Sequence, residues 1–208
     1  MPTLLRIDSS VSGAASRTRL LTGALAEAWL SRGKEFRVVT RDLHEHPLPQ
    51  LRTAAQHWPE PMRGGEPLDE ETDAVQRAVL DELIDADAVV LGVPMYNSSM
   101  PSTLKSWLDM VHVPGVTAPL GEGPQPLLGC PLVIATAQGG PVEADTADYL
   151  TGPLRYILGG ACGMEVHVVS TSCTLAGFLP GLDVAFADGE LSRALDRARE
   201  LGASLPAA

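Results

Sequence analysis

Three short segments carry residue types and spacings that could hold a ligand. The first is Ser9-Ser10-Val11-Ser12-Gly13-Ala14-Ala15-Ser16-Arg17-Thr18. Its hydroxyls and small side chains let the backbone approach an anion, and Ser16, Arg17 and Thr18 open a helix. Free amides and the positive dipole end at such a start favour a phosphate. An ordinary serine N-cap accounts for Ser16 equally well. The segment has neither G-x-G-x-x-G nor the Gly-Lys-Ser/Thr of a P-loop, so a mononucleotide phosphate suits it better than a dinucleotide or a nucleoside triphosphate.

The second segment is Pro94-Met95-Tyr96-Asn97-Ser98-Ser99-Met100-Pro101. Two prolines bracket a polar and aromatic turn, which stiffens its backbone against one ligand edge. Asn97 can donate and accept at once, matching the mixed edge of a flavin ring. Tyr96 and Met95 taken singly are more simply packing residues. The third is Thr136-Ala137-Gln138-Gly139-Gly140-Pro141, where paired glycines allow close approach and their amides could stabilise charge on a ring carbonyl.

For these segments to converge, the elements between them must stack as a sheet. Short apolar strands alternate with amphipathic helices, the mark of a parallel sheet covered on both faces. Strands are predicted at Thr3 to Ile7, Glu35 to Thr40, Ala88 to Val93, Leu132 to Thr136 and around Val166 to Val169. Helical stripes run through Leu20, Leu21, Ala24, Leu25, Ala28 and Trp29, and through Val75, Ala78, Val79 and Leu83 behind an Asp69 cap. Further stripes are Leu104, Trp107, Leu108 and Val111 after Pro101; Leu150, Leu154, Ile157 and Leu158; and Leu191, Ala194, Leu195 and Ala198 in a helix from Gly189 to Leu201. Five of each kind, without an internal repeat, suggest a flavodoxin-like, doubly wound α/β sheet of order 2-1-3-4-5; the order comes with that fold class and not from the residues. Ligands of such sheets sit at the carboxyl ends of the strands, where all three segments fall. The long Pro- and His-containing stretch from Asp42 to about Pro67 exceeds an ordinary connection and is expected to be functional or partner-facing.

The chain of 208 residues fits one domain spanning 1–208, at ~100–200 residues per domain. Its 45% hydrophobic content excludes bulk disorder. A net charge of −11 excludes general phosphate-backbone binding, and 4% aromatics make a single-strand stacking platform unlikely, so no nucleic-acid partner is expected. The three cysteines, Cys130, Cys162 and Cys173, lack C-x-x-C spacing, so neither a disulfide framework nor a zinc site is expected; buried small hydrophobes are. His44-Glu45-His46 lacks the i, i+4 geometry of a helical zinc pair, and no metal is expected there. His112 is a weak candidate proton donor, with packing the simpler role, and His167 reads as structural. The apolar stretch at the N-terminus is too short for a signal peptide or membrane span, giving an expectation of a soluble, cytoplasmic protein with no membrane partner.

The Met95-Tyr96-Asn97 turn followed by Pro101-Ser102-Thr103-Leu104-Lys105-Ser106-Trp107-Leu108-Asp109 resembles the signature of FMN-dependent NADH:quinone oxidoreductases, also called FMN-dependent NADH azoreductases. The Ser9-Ser10…Ser16 segment, Arg41-Asp42-Leu43, Gly115-Val116-Thr117 and Gln138-Gly139-Gly140 occur in the order of that family, over nearly the whole chain. The resemblance implies a homodimer with one FMN per subunit near the interface. It places the FMN phosphate on Ser10, Ser16, Arg17 and Thr18, one ring edge on Met95, Tyr96, Asn97 and Ser98, and the N1 and C2-carbonyl edge on Ala137, Gln138, Gly139 and Gly140. It also implies a ping-pong reaction carrying hydride from NADH or NADPH through flavin N5 to a small-molecule quinone or azo-type aromatic acceptor. No side-chain acid or nucleophile is obligatory in such chemistry.

Where the family commonly has aromatic residues, this chain has Ser98, Ala118 and, in Gly160-Ala161-Cys162-Gly163, Ala161. The family's Ser-Arg-Gly-Gly is Ala137-Gln138-Gly139-Gly140 here. Each lost ring could have covered ~150–250 Å². A wider substrate pocket at Ala118 and Ala161 is therefore expected, suiting a bulky, polycyclic acceptor of a specialised pathway, unless neighbouring side chains fill the space. Two other readings stay open: a flavodoxin-type electron carrier, and a flavin-free homologue without a redox role.

Overall fold

The computed structural model describes residues 1–65, 68–142 and 148–207. Along the chain it forms β1 (Thr3–Asp8), α1 (Arg17–Leu30), β2 (Arg37–Asp42), α2 (Glu70–Ile84), β3 (Ala88–Pro94) and α3 (Ser102–Val111). β4 (Pro131–Ala137), α4 (Thr151–Leu154), β5 (Glu165–Thr171) and α5 (Val184–Ser204) follow. The strands make one sheet in the order β2-β1-β3-β4-β5, every pair parallel. This is the expected flavodoxin-like arrangement.

Alternation of side chains along each strand splits the core in two. Leu5, Ile7, Val89, Leu91, Leu132 and Ile134 face α2, α3 and the segment after α4. Leu4, Ala88, Val90, Val133 and Ala135 face α1 and α5. β3 and β4 are buried along all seven residues, as central strands covered on both sides must be, whereas the edge strand β2 has no buried residue. α1 and α5 pack closely enough that a Cβ on Gly202 would lie 2.2 Å from the Leu25 carbonyl oxygen.

Several sequence-based bounds shift for identifiable reasons. β2 starts at Arg37 and runs to Asp42, because its register with β1 pairs Thr3 with Arg37 and Asp8 with Asp42. α5 begins five residues before Gly189, where the Asp183 carboxylate accepts the amides of Ala185 and Phe186. In α1, Leu20 is exposed and Thr22 takes a buried place, since its hydroxyl donates to Asp8. In α2, Ala78 is exposed and Gln76 is buried, its amide donating to the carbonyls of Gln56 and Met110. That bond ties the long stretch after β2, which holds 3₁₀ turns at Ala54–His57 and Glu60–Met62, to α3. The helix expected through Leu158 is α-helical only over Thr151–Leu154 and continues as a π-helical stretch, Arg155–Ala161, through Gly159 and Gly160.

Cys162 and Cys173 are buried and Cys130 is half-buried. Burial pushes the thiols of Cys130 and Cys162 up to about 11, so both stay protonated and unreactive at neutral pH. No helix among the described residues is long and apolar enough to cross a membrane.

Candidate functional site

The first segment sits where β1 hands over to α1. Ser16, in an extended conformation, caps the helix by accepting the Arg19 amide at 3.3 Å, and its hydroxyl stands 3.0 Å from that of Thr18. Ser10, Ser16 and Thr18 are buried; Ser16 and Thr18 pair at the opening turn of a 14-residue helix, while the Ser10 hydroxyl accepts the Ser12 amide in the loop before it. The amides of this turn have no intrahelical acceptor, which is the chemistry an anion needs. Arg17 lies half-buried beside them, with the exposed Asp188 carboxylate 3.7 Å away.

A polar network beneath the turn supports it. Asp8, 1% exposed, accepts the Arg6 Nε at 2.9 Å and the Thr22 hydroxyl at 2.7 Å. Gly92 of β3 makes room for that carboxylate: a Cβ there would lie 2.7 Å from Asp8 Oδ1. The Ser9 hydroxyl donates to the Gly92 carbonyl at 2.7 Å. The Arg19 guanidinium forks onto both oxygens of Asp42 and also donates to the Ser10 carbonyl at 2.9 Å. That fork, joined by the backbone amides of Glu45 and His44, holds the Asp42 carboxylate down at about 2. The same two amides explain the local role of the His44-Glu45-His46 segment, which folds over Asp42.

The second segment forms a tight turn against the first. Tyr96 and Ser99 exchange backbone hydrogen bonds of 2.9 and 3.1 Å, with Asn97 at φ 50° and Ser98 at φ 63° between them. Two successive left-handed residues other than glycine are costly, and such strain gathers at ligand-binding turns. Tyr96 reaches back so that its hydroxyl is 3.2 Å from Ser10 Oγ and accepts the Val11 amide at 3.1 Å. An open crevice of about 640 Å³ lies alongside, walled by Val11, Tyr96, Asn97, Ser99, the Met100–Pro101 approach to α3, Ser102, Thr103 and Lys105 at its start, and Pro153. That size lies within the range of small-molecule sites.

The third segment is joined to the second at its root, where the Met95 amide donates to the Ala137 carbonyl at 2.8 Å. Beyond that it turns away. The carbonyls of Gln138, Gly139 and Gly140 accept the amides of Thr174, Leu175 and Cys173, so the chain after β5 folds over the loop. Leu175 fills the space above Gly139, its Cδ1 2.7 Å from where a Cβ would be. Gln138 donates its side-chain amide to the Gly140 and Pro141 carbonyls. The amides of Gly139 and Gly140 have no protein acceptor among the described residues. This loop does not wall the crevice.

The structure thus pairs Ser10 with Tyr96 and Ser16 with Thr18, with Asn97 on the crevice wall and Arg17 half-buried at the start of α1. Met95 is half-buried and packs on the core, and Ser98 is exposed on its turn. The two positions expected to widen a substrate pocket do neither. Ala118 is 4% exposed inside the apolar core, and Ala161 ends the π-helical stretch away from the crevice. His112 closes α3, half-buried, its imidazole pushed down by burial and by His57. His167, on β5, faces Glu165 at 3.4 Å. Sequence reading missed Asp8, Arg19 and Asp42 as supports, although a charged residue at the end of an apolar strand was a visible signal. It also missed Lys105 as a crevice wall, because helical spacing marks the buried side of α3 and leaves its open face uninterpreted.

Comparison with known proteins agrees with this fold. A family model described as a flavodoxin-like fold matches residues 2–199. The chain is 45% identical over 213 residues to an FMN-dependent NADH:quinone oxidoreductase of Kineococcus radiotolerans, covering 99% of this chain and 100% of that protein. It is 33% identical over 223 residues to one of Streptomyces coelicolor, covering 100% and 98%. Among solved structures, an azoreductase from Bacillus anthracis superposes with a TM-score of 0.78 at 21% identity, covering 98% of this chain and 99% of that one, a likeness of fold. By its matched family model and its full-length relatives, the chain belongs to the FMN-dependent NADH:quinone oxidoreductases of the flavodoxin-like fold.

Proposed function

We propose that this protein binds FMN at the carboxyl ends of β1, β3 and β4 and uses it to transfer reducing equivalents from NADH to a quinone or azo-type aromatic acceptor. The observation that carries the reading is the contact of the Ser10 hydroxyl, in the turn that leads into α1, with the Tyr96 turn beside an open crevice. Ser10, Ser16, Thr18 and Arg17 would hold the phosphate. Tyr96, Asn97 and Ser98, with the Met95 backbone, would hold one ring edge, and the Gly139 and Gly140 amides would face the other. When bound, FMN supplies the two-electron chemistry, taking hydride from the nicotinamide and delivering it to the acceptor in alternating, ping-pong half-reactions.

The residues of the chain bind, orient and shield. Amides at the α1 start would neutralise the phosphate, and those of Gly139 and Gly140 would donate to a ring carbonyl of the bound group. The strained Asn97–Ser98 turn presents donor and acceptor groups without further folding.

The finer reading of a bulky acceptor now rests on Ser98 alone, whose small side chain leaves the turn uncovered. Homodimer formation is supported by the family likeness and by the apolar rings left open at Tyr149, Tyr156 and Phe178, 60, 79 and 84% exposed.

The experiment is to titrate the apoprotein with FMN, then add NADH or NADPH without oxygen and follow the yellow absorbance. Rapid bleaching by the nicotinamide alone, reversed by a quinone, is the expected result. Bleaching only through a partner protein would make it an electron carrier. Failure to take up FMN would remove the redox reading.

A further inference from the structure

We propose that Arg19, held by Asp42, is a positioning residue that sets the orientation of the Ser10–Val11 peptide and so shapes the phosphate-binding turn. This rests on the reading of the α1 start as the phosphate site.

Arg17 and Arg19 stand two residues apart on one helix, hence roughly 200° apart around its axis. Among the described residues, Arg17 has a single, loosely placed carboxylate neighbour, the exposed Asp188. Arg19 instead turns inward. Its guanidinium meets both Asp42 oxygens, comes within 3.9 Å of Asp8, and leaves a buried Nε without a protein partner. With Arg6 on Asp8, two cations face two carboxylates, so this cluster carries no net charge for a ligand.

What Arg19 does have is a third contact, the Ser10 carbonyl at 2.9 Å. A trans peptide points its carbonyl and its N–H in opposite directions. Holding the Ser10 oxygen inward therefore turns the Val11 N–H outward, where the Tyr96 hydroxyl accepts it at 3.1 Å and where Val11 walls the crevice. A flipped peptide would present a carbonyl oxygen to an anion. Asp42 in turn is fixed from the strand side, because Leu43 donates its amide to Asp8 and the His44 and Glu45 amides cap the carboxylate. The path runs from the end of β2 through Arg19 to one peptide of the β1 turn.

The test compares FMN with riboflavin, which lacks the phosphate, by fluorescence titration of Asp42→Asn and Arg19→Lys. Asp42→Asn removes a negative charge beneath an anion site, so charge alone predicts tighter FMN binding. Positioning predicts the opposite sign: FMN about tenfold weaker, the loss of a charge-assisted bond, with riboflavin within about twofold. Arg19→Lys keeps the charge but loses the fork, and should weaken FMN by a similar factor. Tighter or unchanged FMN binding in folded Asp42→Asn, or unchanged binding in Arg19→Lys, overturns the proposal. So does equal loss of riboflavin, which would mark a role in folding only. Should Asp42→Asn not fold, Arg19→Lys decides by itself. Ser16→Ala and Arg17→Ala test the phosphate site directly: if neither weakens FMN relative to riboflavin, the site reading fails, and if they do while the other pair does not, only the positioning role fails.

Discussion

The hydroxyl of Tyr96 stands 3.2 Å from Ser10 Oγ, across 86 positions of sequence, and joins the turn after β3 to the turn after β1. The same oxygen accepts the Val11 amide, so one phenol anchors two points of the first turn. The two turns that the fold places side by side thus become one surface.

Tyr96→Phe removes that anchor while keeping the ring. Losing hydrogen bonds of ordinary strength should cost about 1 kcal/mol, or roughly a fivefold rise in the FMN dissociation constant. Fluorescence titration measures it. Unchanged affinity would show that the phenol oxygen does not order the turn.

Gly92→Ala is expected to destabilise the protein by about 1–3 kcal/mol, because the added methyl would press on the buried Asp8 carboxylate 2.7 Å away. Urea denaturation should show a lower midpoint. FMN affinity should fall with it, since Asp8 and Thr22 lie under the first turn. Full stability in this variant would mean that Asp8 can move aside without consequence.

Ala118→Phe separates two accounts of a lost ring. Ala118 is packed in the core, so a phenyl group should overfill the site and cost about 1–3 kcal/mol. A stable variant with altered preference between a small and a polycyclic quinone would instead place residue 118 at the acceptor.

Acid stability should report the Arg19–Asp42 pair. The Arg19 hydrogen bond holds Asp42 at about 2, below its ordinary value of 3.8. A lowered carboxylate value stabilises the fold above about pH 4, and that contribution is lost as pH falls toward 2. Wild-type denaturation midpoints should therefore fall more steeply than those of Asp42→Asn across this window. Parallel curves would show that the pair contributes no pH-dependent stability.

Much of this protein could be read along the chain, because the interactions involved are short in sequence. Apolar runs such as Ala88 to Val93 and helical stripes such as Leu104 to Val111 each report their own burial. Proline, glycine and capping residues mark their ends, so all five strands and the fold class were legible. The three turns at the carboxyl ends of β1, β3 and β4 were legible too, since in a parallel sheet every strand ends on the same side. Ser16 capping α1 is a contact of three residues, and it was visible as such.

Contacts between distant segments decided the rest. Gly139 and Gly140 do not wall the crevice, and Leu175 and the amides after β5 that fold over them are contacts no local pattern announces. Ala118 read as a gap in a pocket because a missing ring is visible in sequence, whereas the neighbours that close over it are not. Arg17 and Arg19 look alike in the chain; helix geometry turns Arg17 toward the exposed Asp188 and Arg19 inward against Asp42. Residue order states which groups are present, but a side chain's charge, direction and partners follow from where the sheet brings remote backbone together.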